Sequence, residues 1–459
     1  MNKIIDKIYA KSPVTLQNMI ISIYGYYWKN RRLGSIFKRQ LDEFSQRESF
    51  TINQWKQYQT LELRKLLIHA FTTVPFYTDK YKNAGFSLKD FKKFELADIS
   101  KLPYLEKEEL RKFSKTTLLS TKKNRGKFYS SSGSTGTPIS VYFSKTMHQT
   151  WNAAYEVRVR NWAGVNNKMA RGMIGGRRII LDATAKPPYY RYNAAEKQTY
   201  FSAYHISEET TPNYVEGLVN NRVEYFVGYA MSVFILADFI LKLNIKAPKL
   251  VAVLTSSEKL TKHMRKTIEK AFGCKVFDAY SGVEACGLIS ENNKGDLLFS
   301  PDTGIMEVVN DQGTQVEFGE TGEVVATGLL NFDQPLIRYR IGDRVKLSAN
   351  QNNTMLKIDA IEGRTEDIIV GADGQKMVRF HALFIGIEDL IVSQVIQEEK
   401  KLIVINLVVD TNYNKNSENI ISTRLKSQLG NVQIKFNYLK NIPKAANGKF
   451  KAVISHLKN

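Results

Sequence analysis

The chain has 459 residues, 43% of them hydrophobic and 24% charged, and a net charge of +21. This is the balance of a globular protein large enough for two or three domains; no apolar run reaches the ~18 residues a membrane-spanning helix needs, and no signal-peptide cleavage pattern is present. Two cysteines, Cys274 and Cys286, exclude a disulfide framework and fit a reducing cytoplasm; their spacing matches no CxxC site and no HExxH occurs, so no structural zinc is expected.

The first 125 residues read as mostly helical. Residues 1–128 hold 26 Lys and Arg against 12 Asp and Glu, which places +14 of the +21 there. Thr15–Trp28 is rich in apolar and aromatic residues and runs into Lys29, Arg31 and Arg32. Such a segment suits either the surface of an anionic membrane, here the inner face, or a docked helix with a solvated basic flank. The basic residues are scattered and no recognition motif accompanies them, so nucleic acid is not expected. Leu63, Leu66, Leu67, Ala70 and Phe71 follow helical spacing that stops before Pro75.

Tyr129-Ser-Ser-Ser-Gly-Ser-Thr-Gly-Thr-Pro138 comes next, followed by the alternating Ile139–Phe143. A Gly/Ser/Thr loop before a strand is either a plain turn or a cradle whose N–H groups and hydroxyls face phosphate oxygens. It is no Walker loop, because the lysine of that motif is missing.

The middle of the chain alternates strand and helix. Val223–Val227 is a strand ending at Gly228-Tyr229, and Val233–Leu243 a helix. Leu250–Leu254 is a strand ending at Thr255–Glu258, and Leu260–Phe272 a helix. Lys275–Asp278 is a strand ending at Ala279–Gly282. This order predicts a parallel sheet with crossover helices, and ligands of such sheets bind beyond the carboxyl ends of the strands. Tyr229, Ser256, Ser257, Glu258, Tyr280, Ser281 and Glu284 should therefore converge on one crevice. From about residue 295 the pattern turns β-rich, with strands over 304–309, 322–328 and 336–345. Beyond residue 363, Asp367–Val370 and Gln375–Val378 flank Gly371–Gly374 as a hairpin. Leu402–Val409 is a strand, Asn419–Leu429 a helix and Val432–Phe436 a last strand. The expected architecture is α/β: a large domain over 1–363, with a helical leader (1–125) and a core (126–363), and a small, mobile α+β lid over 364–459.

Five motifs in order resemble the adenylate-forming superfamily of acyl-CoA synthetases. YSSSGSTGTP resembles its phosphate loop, Ala279–Glu284 (AYSGVE) its Y-G-x-T-E motif, and Leu336–Asp343 (LIRYRIGD) its Y-R-x-G-D motif. Gly363–Asp367 (GRTED) resembles G-R-x-D-D, and Asn447-Gly-Lys449 the C-terminal N-G-K. His69–Tyr77 and Ile99–Leu110 look like the phenylacetate–CoA ligase branch. Ser202–Ser207 and the GADGQKMV stretch look like its CapK-type relatives, which are associated with capsular polysaccharide genes. The sequence departs from the pattern at Ser281, Val283 and Glu366.

The resemblance implies an ATP-dependent ligase that converts a carboxylic acid to an acyl-adenylate, releases pyrophosphate, and passes the acyl group to coenzyme A or to an amine on a sugar or amino acid. Ser131, Ser132, Gly133, Ser134, Thr135 and Gly136 would hold the departing phosphates. Glu284 would ligate Mg²⁺. Tyr280 would stack on adenine, with Ser257, Glu258 and Ser281 close by, and Asp343 with Arg364 would bind the ribose. Lys449 would be the mobile catalytic cation, Glu366 the hinge, and His205, Tyr229 and Ser256 the acyl pocket. A non-catalytic scaffold on the same fold, or a basic protein that binds nucleic acid or membrane, is the alternative of another class.

Overall fold

The computed structural model describes residues 9, 11–130, 139–177, 179–180, 186–258, 260–361, 369–373, 376–377, 380–384, 387, 389–409, 413–440, 442 and 453–457. The leader is helical: α1 (Val14–Arg32), α2 (Ser35–Gln46), α3 (Ile52–Thr73), α4 (Pro75–Asn83), α5 (Leu88–Lys92) and α6 (Lys107–Phe113). Thr51 starts α3 with a reciprocal cap to Gln54, and Pro75 opens α4 at its first turn, where a missing N–H costs nothing. Leu63, Leu66, Leu67 and Ala70 are fully buried, while Phe71 packs at the margin of the same core.

Next come the antiparallel hairpin β1 (Gly126–Ser130) and β2 (Ser140–Ser144), helix α7 (Lys145–Tyr155), β3 (Arg171–Gly175), β4 (Tyr190–Asn193) and β5 (Gln198–Ser202). The alternating region then gives α8 (Thr211–Asn220), β6 (Tyr225–Tyr229), α9 (Ala230–Lys242), β7 (Ala252–Ser256), α10 (Lys262–Phe272) and β8 (Lys275–Tyr280). The expected strands begin up to two residues later than anticipated, and α9 starts three residues earlier, directly after β6. Thr261 caps α10 through Met264 N, and Gly273 closes it at φ +61°.

The β-rich part is β9 (Ile289–Glu291), β10 (Leu297–Phe299), β11 (Gly304–Val309), β12 (Thr321–Gly328), β13 (Tyr339–Leu347) and β14 (Lys357–Ile361). All of these but the hairpin join one twelve-stranded sheet in the order β11-β12-β13-β14-β10-β9-β8-β7-β6-β3-β5-β4. Within it β5, β3, β6, β7 and β8 are adjacent and parallel, and the β-rich strands are antiparallel. One core packs the leader helices on the β-rich strands; a second packs α8, α9 and α10 on the parallel ones.

The C-terminal part holds the short pair β15 (Ile369–Val370) and β16 (Lys376–Met377), the turn α11 (His381–Phe384), β17 (Leu390–Glu399), β18 (Leu402–Val409), α12 (Ser417–Leu429), β19 (Gln433–Tyr438) and β20 (Val453–Ser455). Its sheet runs β19-β18-β17-β20, and Ile421, Leu425 and Leu429 of α12 share a separate core with Ile403, Ile405 and Leu407. Val432–Phe436 is thus not the final strand. Val453–Ser455 follows it and pairs in parallel with β17, which the sequence reading did not anticipate.

The leader is laced to the sheet by Arg338, which is buried and itself left-handed at φ +47°. Its guanidinium forms a two-pronged pair with Glu307 (Nε–Oε2 3.0 Å, Nη2–Oε1 2.8 Å) and donates from Nη1 to the Ser100 and Leu102 carbonyls. Leu105 N then donates to Arg338 O, and Arg340 N to Leu105 O. Removing one partner of such a pair strands a buried charge. Arg338→Ala should therefore cost ~3–5 kcal/mol in urea unfolding, and Arg338→Met with Glu307→Leu should recover part of that loss.

Candidate active site

The carboxyl ends of five neighbouring parallel strands form one rim. Along it stand Ser202 (β5), Gly175 (β3), Tyr229 (β6), Ser256 (β7) and Tyr280 (β8), aligned by the pairs Gly175↔Ser202, Ile174↔Gly228, Tyr229↔Ser256 and Ser256↔Ala279. The expected convergence of Tyr229, Ser256 and Tyr280 is what the sheet produces.

At the β8 end the Tyr280 hydroxyl donates to Asp343 Oδ2 at 2.7 Å, joining two motifs 63 residues apart. Desolvation first, then the Asp343 carboxylate, push the Tyr280 hydroxyl well above its ordinary range, with Cys286 and Glu284 adding to the effect. The phenol therefore stays protonated and acts as donor. Asp343 owes its place to a bulge in β13. Between Val325↔Arg340 and Glu323↔Arg344, residues 341–343 oppose Val324 alone. Gly342 takes φ +86° there, a conformation that suits glycine.

Glu284 is buried and its carboxylate folds back over Gly282: a Cβ at 282 would lie 2.1 Å from Glu284 Oε2. Non-glycine residues in the left-handed region stand in both loops that follow β7 and β8, Ser257 at φ +71° and Ala285 at φ +48°. Such strain collects where a loop must present groups to a ligand. Ser256 and Ser257 place their hydroxyls 3.4 Å apart; Ser257 is exposed, and Glu258 and Ser281 are half-buried beside them.

The other end of the rim is aromatic. His205 Nδ1 lies 2.6 Å from Ser202 Oγ, and the ring stacks on Tyr189 at 5.2 Å. The Tyr229 ring lies over Gly175 and Gly176, where an added Cβ would approach to 3.6 and 2.9 Å, and the Tyr204 hydroxyl donates to Gly176 O at 3.1 Å. His205 is thus on the same rim as Tyr229 but separated from it by the end of β3. Gly175-Gly176 and Tyr204 are site residues that sequence reasoning missed. The signal for them was weak: Arg171–Ile174 has no clear period, and only the Gly175-Gly176 pair marks a break there.

Ser131, Ser132, Gly133, Ser134, Thr135, Gly136, Arg364, Glu366 and Lys449 lie outside the described residues. The strands that bracket the loop are described. β1 and β2 pair from Gly126↔Ser144 to Ser130↔Ser140, and the hairpin is held by Gln334 Oε1 on Tyr142 N and Asn331 Nδ2 on Tyr142 O. Among the described residues no group of three or more His, Cys, Asp or Glu side chains is arranged to hold a metal ion by itself. The Glu284 carboxylate, near the Tyr280 hydroxyl, is a hard-oxygen donor of the kind that fits a Mg²⁺ completing its shell with phosphate oxygens.

With this geometry established, comparison with known proteins is decisive. Residues 369–456 match the family model of the CapK C-terminal domain. Protein CapK of Staphylococcus aureus is 28% identical over 99% of this chain and 100% of its own length. The chain is a CapK homologue with the adenylate-forming ligase fold. The phenylacetate-coenzyme A ligase of Escherichia coli K12 is 27% identical over 70% of this chain and 74% of its own. Among solved structures, 2-hydroxyisobutyryl-CoA ligase in the postadenylation state, in complex with R3-HIB-AMP, superposes with a TM-score of 0.56 at 17% identity, covering 90% of this chain and 91% of that one. That likeness extends the CapK relationship to the fold as a whole.

Beneath the rim, Asp278 is enclosed by Thr255, whose hydroxyl donates to Oδ1 at 3.0 Å, and by Glu291, whose Oε2 accepts from Asp278 N and from Arg265. Desolvation dominates and raises its carboxyl from 3.8 to about 7. A raised folded value means that the stabilisation is complete below the unfolded value and is lost as pH rises towards 7. Asp278→Asn keeps the acceptor without the charge. Urea unfolding should show it gaining on the wild type by roughly 2–4 kcal/mol between pH 4 and pH 8.

Proposed function

We propose that this CapK homologue activates a carboxylic acid as its acyl-adenylate at the expense of ATP, releasing pyrophosphate, and then transfers the acyl group to coenzyme A. The observation that carries the reading is the Tyr280–Asp343 hydrogen bond at the convergence of five strand ends, with the Glu284 carboxylate beside it. A carboxylate is a poor electrophile because its own charge repels nucleophiles; adenylation removes that charge and supplies a leaving group. The protein's part is positioning and charge stabilisation. Tyr280 offers its ring to adenine while its hydroxyl orients Asp343 towards the ribose, with Arg364 assisting. Ser131–Gly136 hold the phosphates as pyrophosphate leaves, and the Ser257, Glu258 and Ser281 loops border the nucleotide. Glu284 would hold Mg²⁺, which when bound offsets phosphate charge. Lys449 brings its cation to the α-phosphate and carboxylate, and Glu366 is the hinge between the domain over 1–363 and the lid over 364–459. The acyl group lies towards Ser256, Tyr229 and His205.

Transfer to an amine of a sugar or amino acid is a second reading. The match of residues 369–456 to the CapK C-terminal domain is compatible with either acceptor, so both are kept for the test.

Pyrophosphate release from ATP across aryl, uronic, amino and short acyl acids, each with and without coenzyme A, tests both. One acid class should support release, and Lys449→Ala and Glu284→Gln should each lose it by about 100-fold or more. Further gain with coenzyme A alone identifies the thioester route, and gain with an amine alone the other. Absence of ATP binding would sink the reading. Gly282→Ala offers a finer check. The added methyl displaces the Glu284 carboxylate, so pyrophosphate release should fall about tenfold or more while the melting temperature barely moves.

A further inference from the structure

Helix α1 is amphipathic in the inverted sense. The face it turns to the protein is mostly polar, with Ile21 packed beside Ile179, Ile180 and Tyr200 and Trp28 beside Tyr129 and His148. Asn18 Oδ1 accepts from Tyr192 N at 2.9 Å and Ser22 Oγ from Ala194 N at 3.0 Å; Gln17 accepts from Arg191 Nε. Gly25 sits on Asn193, where a Cβ would lie 2.2 Å from Oδ1. Lys29 donates to Ala195 O at 2.9 Å, and Arg32 pairs with buried Glu196. These side chains meet polar groups of β4, the edge strand of the large sheet, and of the turn that follows it, which accounts for the polar character of the docked face.

The opposite face is apolar and faces outward. Leu16, Met19, Ile23, Tyr26 and Tyr27, spaced by three and four, are 41–67% exposed. A solvent-facing stripe of this kind marks an interaction surface. Its surroundings select the partner. No Asp or Glu occurs between residues 7 and 41. Lys127 lies 5.9 Å from the Tyr27 ring centroid, and Lys11, three residues before the helix, is exposed. A second copy would bring the same positive charge to this face, whereas an anionic bilayer is attracted to it. No helix among the described residues is long and apolar enough to cross a membrane.

We propose that α1 lies on the surface of an anionic lipid bilayer, with Leu16, Met19, Ile23, Tyr26 and Tyr27 in the interfacial layer and the basic residues around them on the headgroups. Tyrosine favours that depth, and a helix with an apolar stripe lies in the plane of the interface. The proposal is independent of the adenylation reading, because it is tested by binding alone.

Flotation of the full chain is measured with vesicles of phosphatidylcholine and with vesicles in which about one third is phosphatidylglycerol, at low and high salt. Wild type should float with the anionic vesicles only, and less at high salt. Ile23→Glu, and separately the triple variant Met19→Ser, Ile23→Ser, Tyr26→Ser, should weaken binding at least tenfold, and Lys127→Glu about fivefold or more. All of these positions are exposed, so melting temperature and pyrophosphate release should stay at wild-type values. Undiminished flotation of the triple variant would mean charge adsorption without the helix face and would overturn the proposal. Failure of the wild type to float would overturn it as well, as would a dimer in sedimentation that Ile23→Glu dissolves.

Discussion

The Arg338–Glu307 pair is the constraint on which the molecule's layout depends. A guanidinium buried among β11, β13 and the leader satisfies a carboxylate and two backbone carbonyls at once. It fixes three things together: the path of residues 100–105, the start of β13, and hence the register at which β13 bulges. Five residues further along, that bulge carries Asp343 to the end of β8. The Tyr280–Asp343 end of the rim is therefore placed by a charge pair that lies outside it. A second buried network does the same for α2: Arg158 and Arg47 converge on Asp302 Oδ2 at 2.9 and 3.1 Å, tying the leader to the loop before β11. Both networks bury cations, so replacing one partner is costly while the intact set is nearly neutral.

Much of the site was legible because its logic is topological. Three strands read as apolar runs ended by Tyr229, Ser256 and Tyr280, and a parallel sheet obliges such ends to share one rim. The strand–helix alternation, the helical leader and the β-rich turn after residue 295 follow from hydrophobic period and punctuation alone. The misses have physical causes. β3 and β5 are short and carry buried polar residues such as Arg171, Gln198 and Thr199, so their periodicity is blurred. β20 is three residues long and is defined only by its partner β17. The orientation of α1 was not readable at all. Its apolar stripe would be assigned to the core by period alone, and only the polar requirements of the β4 edge reverse it.

The same helix connects the outer face to the β1–β2 hairpin. The last turn of α1 presents Trp28 to Tyr129 at 6.2 Å and to His148 at 5.3 Å, and Arg31 donates to His148 Nδ1 at 2.9 Å and to Phe143 O at 2.9 Å. Burial and the neighbouring Arg31 and Arg32 hold His148 down at about 4, so the ring is neutral and able to accept. Tyr129 and Phe143 are residues of β1 and β2, the strands that deliver the Ser131–Pro138 loop. One helix thus has its apolar stripe outward, its polar stripe on the sheet edge, and its last turn clamped to the hairpin at the mouth of the site. A face that meets a lipid surface would therefore lie one helix away from the β1–β2 hairpin, joined to it by packed aromatic side chains and the Arg31 hydrogen bonds.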